Sequence, residues 1–399
     1  MKKIAISVPS GSHHRALLQP LRNFLVNKDW KYLIISPGTP WADEIFPASE
    51  YPREQFSFVE VKTEKWNDPQ TKETLKRYYQ EFNPDLVLTT TTGRDSIDRP
   101  ILTVAKEMKI MTCTFVESWD NIWKMVRKRE EQIVPDFLLV WNKIMRDHLL
   151  NEFPQVDPEK VFITGSPRLD IAARLQELPS RHEVCAKLGL DPQKRILHFS
   201  TVELYKMTHV AKDISDAKKE GTIPQDLQLL ATVHPGGKFE VHQEWAKELG
   251  FVLKPTFGRH KTGPHPDFVY NPTYHENALL MSLFKEDDIM INFSSTVALE
   301  AMLMDTPTIG VMYGKKRDWW NWRKSAVVRD FKEHYADLLS GGGVRVVKNK
   351  KQLISAINDY LKHPEKEKEG RIKSCEIIMT TLAGDASKKT FEIIEKILS

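Results

Sequence analysis

The 399-residue chain has little cysteine, no long apolar run and no strong excess of charge of either sign. Its three cysteines, Cys113, Cys185 and Cys375, lie far apart. They make neither a CxxC pair nor a disulfide framework, which fits a reducing cytoplasm. No window approaches the roughly 20 apolar residues that cross a bilayer. The opening "MKKIAISVP" lacks the apolar core of a signal peptide and reads as a first strand. A net charge of +4 is small for this length and excludes the global field of a nucleic-acid binder. HExxH, Walker A, GxGxxG, zinc-spaced Cys/His clusters and Asp-x-Asp are all missing. These absences disfavour a zinc hydrolase, a P-loop enzyme and a nicotinamide cofactor, and the expectation is no metal and no cofactor.

What is present is alternation. Apolar runs such as "KIAISVPS", "YLIISPG", "PDLVLTTT", "KIMTCTFVES", "PDFLLVWN" and "KVFITGSP" read as strands, with amphipathic helices such as "HRALLQPLRNFLV" and "KIMRDHLLNEF" between them. The pattern restarts with "KRILHFST", "DLQLLATVHP", "FVLKP", "DFVYNP", "DIMINF" and "TPTIGV". Strands alternating with helices predict parallel, doubly wound sheets. The fold class is therefore α/β, with two Rossmann-like domains facing across a cleft. A first domain over residues 1–170 and a second over 171–375 meet near "GSPRLDIAARLQELPSRHE". "LSGGGV" reads as a surface loop, and "KHPEKEKEGRIK" as a solvated charged face.

In open α/β sheets ligands bind beyond the C-terminal strand ends, so the residues that follow each apolar run are the candidates. Ser294, Ser295 and Thr296 follow "DIMINF" and open a helix, where free amides and hydroxyls suit a phosphate. Glu300 stands on the same helix face, and its carboxylate can accept two hydrogen bonds from a ribose diol. The plainer alternative is a capping hydroxyl with a solvated glutamate. In "ATVHPGGK", His234 and Lys238 flank glycines that let backbone approach a phosphate. In the first half, Gly11 permits a tight turn after the first strand, and His13 and His14 open the next helix as a base or an acceptor anchor. "TFVESWDNIW" places Glu117, Asp120 and Asn121 at a strand end among tryptophans, with one carboxylate as a proton acceptor. Arg94 ends another strand. "MYGKKRDWWNWRK" sets Trp319, Trp320 and Trp322 among cations, a composition that suits a membrane interface as well as ordinary packing.

"FSSTVALEAMLMDTPTIGV" resembles the donor-binding segment of GT-B glycosyltransferases. With "ESWDN", "PDFLLVWN", "KVFITGSPRLD" and "VHP" in this order, the chain is similar to a bacterial GT-B subgroup linked to surface polysaccharides. That subgroup is itself related to the CDP-glycerol glycerophosphotransferases and the UDP-GlcNAc 2-epimerases. The match runs through most of residues 1–311. "AGDASKK" resembles the closing helix of these enzymes, which implies that residues 376–399 pack back on the first domain. The resemblance implies a nucleotide-sugar donor held by Ser294, Ser295, Thr296 and Glu300, with His234 near the phosphates and Arg168 reaching from the hinge motif; Lys238 adds charge beside His234. It implies a glycan or lipid-linked acceptor, for which the strand-end residues His13, Arg94 and Asn121 are the candidates, while the small net charge argues against nucleic acid. The base does not carry over; Asp120 ranks first, Glu117 second and His14 third. The paired histidines of the glycerophosphotransferases have no clear match in the spacing.

The leading expectation is a metal-independent, inverting glycosyltransferase of cell-envelope polysaccharide synthesis, cytoplasmic or at the inner face of the membrane. A nucleotide-sugar 2-epimerase, a polyol-phosphate transferase of the CDP-glycerol type and a non-catalytic nucleotide- or glycan-binding module remain as alternatives.

Overall fold

Runs rich in Ile, Val and Leu form buried central strands when amphipathic helices cover both faces of a parallel sheet. The computed structural model describes all residues except 63–66, 92–96, 120–121, 123–132, 203–207, 261–265, 315–325, 334 and the side chain at 326. Its contacts divide the chain into two units. The first comprises Met1–Asp170, His260–Pro272 and Met379–Ser399; the second comprises Ile171–Arg259 and Thr273–Ile378.

Among the described residues, the first unit holds β1 (Lys3–Ser7), β2 (Lys31–Ser36), β3 (Phe56–Glu60), β4 (Leu86–Thr90), β5 (Met111–Phe115), β6 (Phe137–Val140) and β7 (Val161–Ile163). They form one sheet in the order β3-β2-β1-β4-β5-β6-β7, and every pairing is parallel. The second unit holds β8 (Ile196–Ser200), β9 (Gln228–Val233), β10 (Val252–Pro255), β11 (Ile289–Asn292), β12 (Thr308–Val311) and β13 (Val344–Val347). Their order is β10-β9-β8-β11-β12-β13, again all parallel. In each sheet the direction of winding reverses once, between β1 and β4 and between β8 and β11. Two edge strands, β3 and β13, are not expected from the sequence: each is only partly buried, so neither reads as a strong apolar run. "DFVYNP" is not a strand of either sheet; Pro266–Phe268 makes a short 3₁₀ turn instead.

Alternate residues along each strand feed cores on opposite faces. In the second unit Leu197, Phe199, Leu229, Ala231, Ile289 and Ile291 share one cluster. Ile196 and Leu230 join Val184, Leu279 and Leu283 on the other face. That second face also buries His198, whose Nδ1 lies 2.5 Å from Asp287 Oδ2 and whose Nε2 lies 2.7 Å from Thr232 Oγ1. Burial pushes the Asp287 carboxyl up to about 6.

The C-terminal helix Ala386–Leu398 belongs to the first unit. Asp170 fixes its start, accepting from the amides of Ala386 (3.0 Å) and Ser387 (2.7 Å). Gly165, at φ +81°, leaves room there; a Cβ would stand 3.0 Å from that of Ala386. Phe391 stacks on Phe24, and Lys28 pairs with Glu395. Two stretches singled out in the sequence, "GSPRLD" and "AGDASKK", thus pack on one another.

"LSGGGV" is not a free surface loop. A Cβ at Gly341 would lie 2.3 Å from the Ser374 amide, and one at Gly343 would lie 2.6 Å from Arg371 Cα. The charged run is not wholly solvated either. Arg371 is 1% exposed and donates to Asp305, Lys366 O and Pro364 O. Glu367 holds Arg345, whose guanidinium lies over Tyr360.

Candidate functional site

Polar groups gather at the winding reversal of the first sheet. Beyond β1, Ser10 has an extended backbone and precedes a helical run. Its Oγ lies 2.6 Å from His13 Nδ1 and 2.9 Å from Ser12 Oγ. On the other side of the ring, His13 Nε2 is buried, has no hydrogen-bond partner among the described residues, and lies 3.3 Å from Glu117 Oε2. Glu117 follows β5, and its amide donates to Thr91 Oγ1, just beyond β4. A hydroxyl and an imidazole that follow β1 therefore meet a carboxylate that follows β5, while Thr91, after the intervening β4, holds the backbone of that carboxylate's residue. Such an array can take up a proton and stabilise the imidazolium that results. Sequence reading singled out His13 and Glu117 but missed Ser10 and Thr91, which carried only the signal of lying directly after a strand.

His14, the next residue, is a buried anchor. Its Nδ1 lies 2.8 Å from Asn271 Oδ1 and its Nε2 2.5 Å from Tyr51 Oη. Burial lowers its pKa to about 4, so the ring is neutral near pH 7. Asn271 belongs to the His260–Pro272 segment, which the first unit holds as a strap. Phe268 inserts beside Phe46, and Gln19 Nε2 donates to Pro272 O. Tyr270 O would lie 1.9 Å from a Cβ at Gly11, so that glycine is needed for the strap to seat. From His14 to Leu18 the helix takes π geometry, a feature frequent at functional sites. No local pattern marks the strap, because its partners lie far away along the chain.

The second sheet repeats the arrangement at its own reversal. After β11, neither the buried Ser294 Oγ nor the buried Asn292 Nδ2 has a hydrogen-bond partner among the described residues. Ser295 Oγ accepts weakly from the Val297 amide at 3.4 Å. Thr296 precedes the short helix Val297–Leu303, and its side chain makes no cap. Glu300 is 3% exposed, which removes the reading of a solvated helix glutamate. After β8, Thr201 Oγ1 accepts from the His234 amide at 3.0 Å. His234 closes a tight turn, with the Gly237 amide donating to its carbonyl at 2.8 Å. Arg259, unnoticed in the sequence, clasps that turn by donating to the carbonyls of His234 and Gly237. Lys238 is exposed.

Arg168 belongs to the first unit, where its guanidinium lies 5.6 Å from the Trp141 ring centre. Asp120, Asn121, Arg94, Trp319, Trp320 and Trp322 lie outside the described residues. Among the described residues, no group of three or more His, Cys, Asp or Glu could hold a metal ion, and no helix is long and apolar enough to cross a membrane.

Two parallel α/β units with polar strand ends define a protein of the GT-B class. More particularly, the chain belongs to the CDP-glycerol:poly(glycerophosphate) glycerophosphotransferase family, whose model matches residues 109–396. No curated protein matches it by sequence. Among solved structures it is similar to a UDP-GlcNAc 2-epimerase from Neisseria meningitidis bound to UDP-GlcNAc, at 15% identity and a TM-score of 0.65, covering 99% of this chain and 100% of that one. It is also similar to the wall teichoic acid polymerase TagF, at 14% identity and a TM-score of 0.58, covering 100% of this chain and 88% of that one. A glycosyltransferase from Rickettsia africae matches at 13% identity and a TM-score of 0.58, covering 100% of this chain and 99% of that one. At such identities the likeness shows the fold. The family is one of transferases.

Proposed function

We propose that the chain transfers a polyol phosphate from a nucleoside diphosphate donor to an acceptor hydroxyl. The observation that carries this reading is the span of the family match, which includes Glu117, His234, Ser294, Ser295, Thr296 and Glu300. It moves the leading expectation from a sugar to a phosphopolyol.

In this reading the second unit binds the donor. Ser294, Ser295 and Thr296 hydrogen-bond the diphosphate oxygens, His234 and Lys238 add donors, and Glu300 accepts from the ribose hydroxyls. The Ser294 hydroxyl, buried with no partner among the described residues, supports this, since a buried polar group without a partner costs about 1–3 kcal/mol. The proton acceptor is His13, which Glu117 stabilises once charged. The acceptor oxygen attacks the distal phosphorus, the bridging P–O bond breaks, and a nucleoside monophosphate leaves.

The nucleotide released tests the reading. Incubation with CDP-glycerol and a hydroxyl acceptor should release CMP and leave glycerol phosphate on the acceptor. Release of a nucleoside diphosphate from a nucleotide-sugar would mark sugar transfer instead. An isomerised nucleotide-sugar with no acceptor present would mark an epimerase, and binding without turnover would mark a recognition module.

A further inference from the structure

We propose that Ser10 relays the proton of the acceptor hydroxyl to His13, an inference that rests on the transfer reading above. Ser10 occupies the N-cap position of the helical run, with φ −159° and ψ 172°, yet its side chain does not cap the helix. An N-cap hydroxyl ordinarily accepts from a first-turn amide. Here it faces His13 Nδ1 at 2.6 Å instead.

The other face of the ring sets the direction of that bond. A proton on Nε2 points into a buried space 3.3 Å from the Glu117 carboxylate. The carboxylate therefore favours the tautomer protonated at Nε2, which leaves Nδ1 to accept from the Ser10 hydroxyl. With its own proton committed to His13, Ser10 Oγ is an acceptor toward anything else. Ser12 Oγ lies 2.9 Å away and can donate to it. An acceptor hydroxyl that replaces it donates to Ser10.

The relay balances. The acceptor O–H bond breaks and its proton moves to Ser10 Oγ, while the Ser10 proton moves to His13 Nδ1. The acceptor oxygen forms a bond to the distal phosphorus of the donor. The bridging P–O bond breaks, and its electron pair leaves with the nucleoside monophosphate. Ser10 ends as it began, and the imidazolium, held by Glu117, later gives its proton to solvent.

Steady-state transfer from CDP-glycerol by Ser10→Ala and Ser10→Thr, with a solvent-deuterium proton inventory, tests the relay. Ser10→Ala is expected to lower kcat by about 100-fold with the donor KM unchanged, the size of a lost proton-transfer group. Ser10→Thr, which keeps the hydroxyl, should recover most of that loss. The inventory should be bowl-shaped in the wild type and linear in the alanine variant. Wild-type kcat in Ser10→Ala overturns the relay. His13→Gln separates the two claims: if it abolishes transfer while Ser10→Ala does not, only the relay falls, and if it leaves transfer intact, the base assignment falls as well. Nitrogen-15 NMR of the wild-type His13 ring reads the tautomer without any turnover or variant. Unprotonated Nδ1 is expected, and protonated Nδ1 overturns the relay.

Discussion

His13 and Glu117 meet across the winding reversal of the first sheet, Nε2 to Oε2 at 3.3 Å, although one follows β1 and the other β5. The contact joins a histidine that sequence reading treated as an acceptor anchor to a carboxylate ranked second as the base. If the imidazole is the base and the carboxylate its support, the two substitutions differ in size. His13→Gln should lower kcat by about 10²–10⁴-fold. Glu117→Gln should lower it less, because the glutamine still occupies the space but cannot stabilise the imidazolium. Rates of nucleotide release, with donor affinity followed separately, check the ranking; a larger loss from Glu117→Gln would make the carboxylate the base.

Gly11→Ala should unseat the strap. The added Cβ would lie 1.9 Å from Tyr270 O, a backbone atom that cannot swing away as a side-chain end could. Overpacking of this kind costs about 1–3 kcal/mol, occasionally more. Hydrogen exchange should show faster exchange at the backbone around Tyr270 and Asn271, with little change in the second unit. Unchanged exchange there would mean that Tyr270 does not hold its place against Gly11.

The lowered pKa of His14, about 4 against an ordinary 6.5, makes the first unit sensitive to mild acid. Between those two values the unfolded chain binds a proton at this position and the folded chain does not, so stability falls as pH drops from about 7 toward 4. The contribution is about 2 kcal/mol at pH 5. Denaturant unfolding of the wild type and of His14→Gln, compared at pH 7 and pH 5, measures it. The glutamine variant should lose less stability over that interval, and equal losses would remove His14 as the cause.

Asp170→Ala should loosen the C-terminal helix. It removes the carboxylate that accepts from the Ala386 and Ser387 amides and leaves those amides buried without it. The expected cost is about 1–3 kcal/mol, with protection lost first at residues 386–398. Thermal unfolding followed by exchange at that helix checks it, and a helix as protected as in the wild type would contradict the assignment.

The fold was largely legible because the buried parallel strands are nearly continuous apolar runs. β1, β4 and β5 follow "KIAIS", "LVLTT" and "MTCTF", while β11 and β12 follow "IMIN" and "TIGV". The edge strands β3 and β13 were not, since each buries only part of its length. At the candidate site, residue type and place after a strand pointed to His13, Glu117, His234, Ser294 and Glu300. What could not be read was which neighbours they keep. The two adjacent histidines look alike in sequence, yet one meets Ser10 and Glu117 while the other is closed off by Asn271 and Tyr51. Asn271 comes from the strap, 257 residues along the chain from His14, and such a contact leaves no local pattern. Arg259 was invisible for a similar reason: its role lies in two backbone carbonyls of a distant turn.

Calorimetric titration of CDP-glycerol into the wild-type chain, Ser294→Ala and Glu300→Gln tests most directly whether the strand end after β11 holds the donor. One donor should bind per wild-type chain. Each substitution should raise Kd by about tenfold or more, because a hydrogen bond involving a charged group contributes about 1.5–3 kcal/mol and 1.4 kcal/mol is already a factor of ten. Wild-type affinity in both variants, with both folded, would contradict the account.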